Sequence, residues 1–357
     1  MRRVLHVGPC NTPGGMAKVI EILSQNPPNS WSAEILESHS RGNILAKLLA
    51  WRKAQTYLKN HAKKFDIIHI HSAAGWSYKR KLSLARIALK QKTQVVFHIH
   101  SGQFDQFAKQ RKNIREELQS VNLVVLSNYW REKLQPIIGD CLVIENPIDP
   151  KITTDETILR KPKQLLLLGR ADPVKGHGFA FDIARCLEKD GWELVATGTK
   201  HSEAGIKGLG WVTEQEKLRL LQESTAILIP SKFEGQPLVM LEALAAGCPV
   251  IASDKIPELP SCVISATHED LDEWVKAIIG VSKLDSKDYL ESHSIDINNI
   301  KGMYLHQANE SMNKLISKYL LGSEADQSLA PIVLDEYANT SSAGSIIAFH
   351  KNNENLT

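Results

Sequence analysis

Short apolar runs alternate with helix-length segments along most of the chain, and this alternation limits the possible folds. Strands separated by helices form parallel βαβ units. Runs that are almost wholly apolar, such as Val4-Leu5-His6-Val7, are typical of a sheet covered on both faces. In the first half we predict strands at 4–8, 66–71, 94–100, 122–127 and 141–145, and helices at 16–25, 43–61, 79–90, 106–120 and 129–135.

The same pattern restarts after a predicted linker. This linker contains Asn146-Pro147-Ile148-Asp149-Pro150 and the polar residues 151–163. Beyond it we predict strands at 164–169, 193–197, 225–229 and 249–252, and helices at 178–189, 214–223 and 238–246. The sequence therefore predicts the α/β class, with two Rossmann-like doubly wound domains that face a cleft. The predicted domains are 1–150 and 151–321, the second closed by helices from about residue 268, and 322–357 is predicted to be a poorly ordered tail.

The net charge is only +3, but it is unevenly distributed. Residues 1–150 carry 22 Lys and Arg against 11 Asp and Glu, whereas the remainder carries 21 against 29. Between residues 38 and 104 there are 13 basic residues and one acidic residue, Asp66. This surface is either a set of solvated helix faces or a surface for an anionic membrane or a lipid-diphosphate. Few aromatic residues and no nucleic-acid motif accompany it, which disfavours nucleic acid as a partner.

The cysteine spacing and the length of the apolar runs indicate in which cellular compartment the protein is expected. Five cysteines without paired spacing disfavour a disulfide framework and favour a reducing cytosol. The apolar part of the N-terminus is too short for a signal peptide. No apolar run approaches the ~20 residues of a membrane span. We expect a cytoplasmic location, with peripheral contact at the cytoplasmic face of a membrane as a further expectation.

Residues 230–252 form the most specific motif of the chain. They are predicted to form a strand end, a turn, a helix and a strand, with Glu234 in the loop and Glu242 in the helix. Backbone N–H groups at a helix start form an anion site, to which Leu238 and Val239 would contribute. Carboxylates beside such a site are suited to hydroxyl groups. An anion flanked by hydroxyl groups describes a nucleotide sugar.

This motif resembles the Glu-x7-Glu signature of the retaining glycosyltransferases of family 4, which have the GT-B fold. The spacing of Glu234 and Glu242 matches, as do the preceding Pro-Ser and the following Ala-x-Ala-x-Gly-x-Pro-Val-Ile-Ala. Gln236-Pro237 departs from the usual Phe-Gly, and Pro147 replaces the usual glycine at the domain boundary. The resemblance covers about residues 1–320. It implies an acceptor-side first domain and a second domain that binds the nucleotide sugar.

The resemblance also implies roles for residues at the phosphate groups and the base. Gly169-Arg170 and Lys175-Gly176 match the family's Gly-Arg and Lys-Gly, so Arg170 and Lys175 are expected to bind the donor diphosphate and stabilise it as a leaving group. The Gly14-Gly15 loop is expected near the donor phosphates. Val212 is expected near the nucleotide base. Two surface cations beside a turn and a bare Gly-Gly turn are the alternatives to these roles.

Histidines end two of the predicted strands. His98 and His100 share a strand face, and the resemblance places His100 near the donor sugar. His69 and His71 lie at a similar strand end, where His71 either lines the acceptor side or has a structural role. No spaced carboxylate or cysteine accompanies these histidines, so we predict no metal ligands among them. With no metal ligand predicted, we expect metal-independent transfer.

The resemblance implies an enzyme, a hexosyltransferase that acts with retention. Glu234 is expected to bind the transferred sugar and Glu242 the ribose, with His100, Arg170, Lys175 and Glu234 as the catalytic set. The donor is expected to be a UDP-sugar or, failing that, a GDP-sugar, with no other cofactor. The expected acceptor is a lipid-linked glycan of a bacterial surface polysaccharide, such as lipopolysaccharide, capsule or exopolysaccharide. A sugar-nucleotide epimerase and a non-catalytic scaffold of a polysaccharide assembly are the alternatives.

Overall fold

The first domain is built on one six-stranded parallel sheet. The computed structural model describes residues 1–10, 12, 14–40, 42–155 and 157–283. The strand order is β2-β1-β3-β4-β5-β6, and the strands are β1 (Arg2–Pro9), β2 (Trp31–His39), β3 (Ile67–Ser72), β4 (Gln94–Ile99), β5 (Asn122–Val125) and β6 (Cys141–Val143). The helices are α1 (Gly15–Gln25), α2 (Ile44–His61), α3 (Trp76–Lys90), α4 (Phe104–Lys109), α5 (Ile114–Leu118) and α6 (Asn128–Ile138).

Two elements of this domain differ from the sequence prediction. Strand β2 was not predicted, because it is an edge strand that pairs only with β1 and most of its side chains are part-exposed, including two glutamates. The prediction of a single helix at 106–120 is wrong, since the structure has two separate helices there, α4 and α5. Between them Arg111 turns back and donates two hydrogen bonds to Glu117, at 2.7 and 2.6 Å.

The central strands of this sheet have one apolar face and one face that carries histidines. Side chains alternate between the two faces of a strand. The apolar side chains lie in one buried cluster, and those from the central strands include Leu5, Val7, Ile68, Ile70, Phe97 and Ile99. The intervening positions on the same strands are His6, His69, His71 and His98. The parallel register aligns His6 with His69 and His71 with His98.

The second domain repeats the parallel architecture. Its strand order is β12-β11-β10-β7-β8-β9. The strands are β7 (Lys161–Leu167), β8 (Glu193–Thr197), β9 (Ile206–Gly210), β10 (Ser224–Ile229), β11 (Val250–Ser253) and β12 (Ile264–Ala266). The helices are α7 (His177–Leu187), α8 (Glu214–Glu223), α9 (Leu238–Ala245) and α10 (Leu271–Lys283). Consecutive leucines of β7 enter two different buried clusters, one on each face of the sheet.

Strands β9 and β12 were not predicted. Strand β9 contains two glycines, and β12 has three residues, so neither carries the apolar signal of a central strand. Both lie at an edge of the sheet. The predicted helices beyond residue 283 and the predicted tail at 322–357 lie outside the described residues, and the three predicted domain ranges remain predictions. In the part of the chain that the structure describes, no helix has the length and apolar character needed to cross a bilayer.

Candidate functional site

The predicted site residues follow the carboxyl ends of strands in both sheets. Gly14 follows β1, His100 follows β4, Arg170 follows β7 and Glu234 follows β10. Open α/β sheets bind ligands at this edge. The fold therefore gathers residues that are far apart in sequence at one edge of each sheet.

Glu234 is held by two side chains of its own domain. Nζ of Lys175 donates a hydrogen bond to Oε1 of Glu234 at 2.5 Å, and Oγ of Ser231 donates to the same oxygen at 2.8 Å. The Lys175 side chain keeps 31% of its exposure and that of Glu234 keeps 14%. Two residues that were predicted to contact the donor therefore form an ion pair with each other, open on one side to solvent.

Helix starts from the two domains meet beside this ion pair. A side-chain carbon added at Gly15, the first residue of α1, would lie 3.9 Å from Cβ of Leu238, the first residue of α9. Gly14 has a φ of 147°, a conformation that favours glycine. The first N–H groups of each helix lack intrahelical partners, and each helix start carries partial positive charge. Gly15 and Leu238 thus lie together, each beside the neighbouring predicted residue, Gly14 or Val239, and the anion site itself stays a prediction.

Arg170 brings a further positive charge to this edge of the second domain. It is exposed, and its guanidinium makes no ion pair with any described residue. A Cβ at Gly198 would lie 2.1 Å from the carbonyl oxygen of Gly169 and 2.9 Å from Cα of Arg170. Glycine at position 198 therefore permits the backbone of β8 to approach the loop that carries Arg170.

Glu242 begins a chain of ion pairs that crosses between the domains. Its carboxylate is buried and accepts a hydrogen bond from Nζ of Lys217 at 2.8 Å. Lys217 also contacts Glu214 at 3.0 Å, and Glu214 contacts Lys18 of α1 at 3.2 Å. Lys18 lies 3.4 Å from Asp149. Burial raises the pKa of Glu242, and the positive charge of Lys217 opposes that rise.

Val212 packs against apolar side chains of the second domain. It lies in the loop after β9 and is part-buried against the apolar cluster beneath α9. The structure thus gives it a packing role, and its expected contact with a nucleotide base stays a prediction.

Five histidines of the first domain form a continuous array, which we call the histidine array. Its members are His6, His69, His71, His98 and His100. Nδ1 of His71 lies 3.0 Å from Nε2 of His100, and Nε2 of His71 lies 3.3 Å from Nδ1 of His6. Nε2 of His69 lies 3.3 Å from Nδ1 of His98. The shared face of His98 and His100 was predicted from strand alternation. The contribution of His6 was not, because its strand is paired with β3 only in the folded chain.

The histidines of this array are uncharged at neutral pH. Burial lowers the pKa of His6 to about 4 and that of His100 to about 3. Burial, followed by the neighbouring histidines, holds the pKa of His69, His71 and His98 well below the ordinary value of 6.5. His100 can therefore accept or donate a hydrogen bond as a neutral imidazole.

The loop around Glu234 packs directly against the first domain. A Cβ at Gly102 would lie 2.3 Å from the carbonyl carbon of Glu234, and a Cβ at Gly235 would lie 2.7 Å from the carbonyl oxygen of His100. Nε1 of Trp130 donates a hydrogen bond to the carbonyl oxygen of Gly235 at 2.6 Å. Gly102 and Trp130 were not predicted as site residues. The only sequence signal was the position of Gly102, two residues after His100.

Asn146 and Gln236 join the same loop to the domain boundary. The backbone N–H of Asn146 donates to Oε1 of Gln236 at 2.7 Å, and Nδ2 of Asn146 donates to the carbonyl oxygen of Gln236 at 3.0 Å. Gln236 belongs to one departure from the family wording, and Asn146 directly precedes the other, Pro147. The unusual glutamine thus serves as a contact between the domains.

A cavity of about 520 Å³ lies elsewhere, at the amino ends of the first sheet's strands. Its lining includes Arg2, Trp31, Ile67 and Gln94, and none of the predicted site residues. Because open α/β sheets bind ligands at the opposite edge, we do not assign the function to it. A smaller cavity of about 240 Å³ lies beside Gln236, between the domains.

Two family models match different parts of the chain. Residues 162–283 match the model described as Glycosyl transferases group 1, which includes Arg170, Lys175, Glu234 and Glu242. Residues 290–356 match the C-terminal part of 3-oxoacyl-[acyl-carrier-protein] synthase III. The second match lies outside the described residues, in the region predicted from sequence as closing helices and tail.

The relatives among known proteins include an acyl-carrier-protein synthase and glycosyltransferases. Beta-ketodecanoyl-[acyl-carrier-protein] synthase of Pseudomonas aeruginosa is 49% identical over 69 residues, 19% of this chain and 20% of that protein. An uncharacterized 41.2 kDa protein in the cps region of Klebsiella pneumoniae is 23% identical over 340 residues, 84% of this chain and 92% of that protein. Amylovoran biosynthesis glycosyltransferase AmsK of Erwinia amylovora is 27% identical over 226 residues. The chain spans about half of AmsK (55%) and a fifth of the synthase.

Solved structures confirm the predicted fold. The catalytic domain of starch synthase IV from Arabidopsis thaliana superposes with a TM-score of 0.61 at 12% identity, covering 98% of this chain and 99% of that one. WaaG, a glycosyltransferase involved in lipopolysaccharide biosynthesis, superposes with a TM-score of 0.53 at 13% identity, covering 82% of this chain and 96% of that one. The chain has the GT-B fold, with two parallel-sheet α/β domains.

Proposed function

We propose that this chain, which is related to the glycosyltransferases through its group 1 domain, moves a hexose from a nucleotide sugar to an acceptor hydroxyl with retention of configuration. The observation that carries the proposal is the meeting of the α1 and α9 helix starts beside the Lys175–Glu234 ion pair. Two helix starts and two cations suit a diphosphate. The adjacent carboxylate of Glu234 suits the hydroxyl groups of a sugar.

In the proposed complex, each charged residue acts on a different part of the donor. Arg170, Lys175 and the N–H groups of Leu238 and Val239 bind the diphosphate and stabilise it as it leaves. Lys175 is shared between the phosphate and Glu234, whose other oxygen binds hydroxyl groups of the transferred sugar. The helix start at Gly14 and Gly15 adds to the positive potential.

The remaining predicted residues hold the two ends of the donor. Glu242 binds the ribose hydroxyls, with its charge partly balanced by Lys217. Val212 lies beside the base. His100, as a neutral imidazole, hydrogen-bonds the sugar and positions it.

The proposed chemistry is a front-face substitution. The bond between the anomeric carbon and the diphosphate oxygen breaks, and the acceptor oxygen forms its bond on the same face. The departing phosphate oxygen takes the acceptor proton. No metal ion is needed in this scheme, because Arg170, Lys175 and the helix starts supply the positive charge.

We propose a UDP-sugar as the donor, with a GDP-sugar as the next choice, and a lipid-linked glycan of a bacterial surface polysaccharide as the acceptor. The acceptor class is supported by the names of AmsK and of the O-antigen chain mannosyltransferase B of Escherichia coli, which is 36% identical over 72 residues. UDP is bound in one structural neighbour, TarM of Staphylococcus aureus, at 16% identity. No synthase activity is proposed from residues 290–356, because the match spans a fifth of its relative.

The test of this function is donor binding followed by product analysis. The purified full chain is screened with UDP-glucose, UDP-galactose and GDP-mannose by thermal shift. A donor at a hundredfold excess over its Kd raises the free energy of unfolding by about 2.7 kcal/mol. The donor that binds is then incubated with a lipid-linked glycan, and a glycan longer by one sugar supports the proposal. An isomerised free sugar nucleotide would indicate the epimerase instead.

Helix α2 supports peripheral contact with an anionic membrane. Its residues Ile44, Leu45 and Leu49 are 83, 66 and 54% exposed, and they lie within a region of strong positive charge. Replacing Leu45 and Leu49 with serine is expected to weaken binding to phosphatidylglycerol vesicles at least about tenfold in a sedimentation assay, because apolar burial is lost. The matched control is Leu159→Ser, since Leu159 is 86% exposed in the second domain.

The scaffold alternative makes a different prediction for the same assay. If the chain is a scaffold, the wild type would bind these vesicles but would transfer sugar from none of the donors. Equal vesicle binding by the α2 double variant and the wild type would contradict the proposed membrane surface.

Gly102→Ala is expected to lower kcat/KM for transfer about tenfold. The added methyl would overlap the backbone of Glu234, and overpacking of this kind costs about 1–3 kcal/mol. The strain falls on the contact between domains, so the catalytic loop moves while each domain stays folded. The control is Gly178→Ala, because nothing lies within 4 Å of a Cβ at Gly178. Equal kcat/KM values for the two variants would show that the contact is dispensable.

A further inference from the structure

The histidine array of the first domain has the composition of a transition-metal site. One ring nitrogen from each of His71, His98 and His100 lies within 4.8 Å of the other two, and the same holds for His6, His69 and His71. Neutral imidazole is the common protein ligand for zinc and copper. The array lacks carboxylates and thiolates, so its chemistry selects a metal that imidazole alone can bind.

Two nitrogens of the array lie close to the spacing of ligands on one ion. A tetrahedral zinc ion with Zn–N bonds of about 2.0–2.1 Å separates its ligand nitrogens by about 3.3 Å. In the array, Nδ1 of His71 and Nε2 of His100 are 3.0 Å apart, and one nitrogen each of His71, His98 and His100 form a set within 4.8 Å of one another. Small rotations of the side chains would bring the nitrogens of one group into this geometry.

The strands give the array a rigid frame. His71 and His98 are paired in the register of β3 and β4, and the backbone N–H of His100 donates to the carbonyl oxygen of Ser72 at 2.8 Å. Metal sites on regular strands hold their ligands more precisely than sites on loops. The three ligands therefore need no rearrangement of the backbone.

His98 and His100 distinguish the outer group from the inner one. Nε2 of His98 is buried without a hydrogen bond of normal geometry to any described residue, although the backbone of Ile144 lies near it and opposes part of its pKa shift. His100 is part-exposed at the edge of the sheet. This edge offers an entry path, and it leaves room for water as a fourth ligand, as in zinc sites with three histidines.

We propose that His71, His98 and His100 bind one Zn²⁺ ion, with His6 as a hydrogen-bond partner that orients His71. The partner role follows from the contact between Nδ1 of His6 and Nε2 of His71. Partners of this kind fix the tautomer and orientation of a ligand histidine. His100 also belongs to the proposed sugar-transfer site, but the zinc proposal does not rest on that function, and its test uses no transfer assay.

The test is calorimetric titration of the chelator-treated full chain with zinc chloride. One ion is expected to bind per chain. His98→Gln is expected to weaken binding more than about a hundredfold because it removes a ligand, and His6→Gln about tenfold because it removes a partner. His61→Gln is the matched control, since His61 lies on α2 and bonds the carbonyl oxygen of Tyr57. Circular dichroism shows whether each variant is folded.

Cobalt substitution provides an independent measurement that does not depend on variants. Co²⁺ in a tetrahedral nitrogen site gives intense visible absorption, which zinc should displace. No zinc binding by the wild type would overturn the proposal and leave a hydrogen-bonded array of neutral histidines. Binding that His98→Gln leaves unchanged would also overturn it, because the ion would then lie elsewhere.

Discussion

Glu234→Ala is expected to lower kcat for sugar transfer about 10²–10³-fold, while the folded protein keeps its thermal midpoint. Removing one group that stabilises developing charge typically costs about 3–4 kcal/mol of transition-state stabilisation. In this chain the substitution would remove two contacts of the Glu234 carboxylate. The carboxylate no longer contacts the sugar, and Lys175 loses the partner that holds it at 2.5 Å.

The measurement is steady-state kinetics with the donor identified by thermal shift. Glu193→Ala is the control, because Glu193 is an exposed glutamate at the start of β8, at the opposite edge of the same sheet. Arg170→Ala is expected to show a loss of similar size, since Arg170, which forms no ion pair with any described residue, is proposed to bind the leaving diphosphate. A kcat for Glu234→Ala within twofold of the wild type would refute the role proposed for this residue.

Lys217→Met is expected to lower the free energy of unfolding by about 3–5 kcal/mol. Removing one member of a buried ion pair leaves an uncompensated charge. Glu242 is 2% exposed, and Lys217 is the cation that contacts it at 2.8 Å. The double variant Lys217→Met with Glu242→Gln is expected to recover most of this loss, because no charge then remains buried.

The loss caused by Lys217→Met is expected to depend on pH. The pKa of Glu242 is already raised above 4.5 by burial, and the loss of Lys217 raises it further. A carboxyl with a raised pKa binds its proton more tightly in the folded state, so stability falls as pH rises from 4.5 through the raised value. The deficit should therefore be smallest in acid and largest at neutral pH.

Urea unfolding followed by circular dichroism at several pH values measures this dependence. Lys207→Met is the control, since Lys207 is exposed on the edge strand β9. A deficit that stays constant with pH would mean that lost packing, rather than the buried charge of Glu242, causes the instability.

The sequence predicted the parts of the fold that local signals determine. Helix α8 was predicted at its observed bounds, and in the structure Thr213 caps it by accepting a hydrogen bond from the N–H of Glu216 at 3.1 Å. The strand at β7 was evident from four consecutive leucines, which are buried on both faces of the sheet. Edge strands β2, β9 and β12 gave no such signal. One side of each has no strand partner, and each combines apolar with polar or glycine residues.

The site was predictable only where it follows a contiguous motif. Glu234, Glu242, Arg170 and Lys175 were identified by spacing, and their roles remain predictions. Three features required the folded chain: the ion pair between Lys175 and Glu234, the contribution of His6 to the histidine array, and the approach of Gly102 to Glu234. Each joins residues from different strands or domains, so no pattern along the sequence could indicate the distance between them.

The hydrogen bond between Trp130 and Gly235 makes the first domain a fluorescent reporter of the second. The indole is 6% exposed, and its N–H is bound 2.6 Å from a carbonyl oxygen next to Glu234. Indole emission is sensitive to the polarity and hydrogen bonding around the ring. Any movement of the loop around Glu234 would therefore change the emission of this tryptophan, so loop motion could be timed in a stopped-flow instrument without an attached dye.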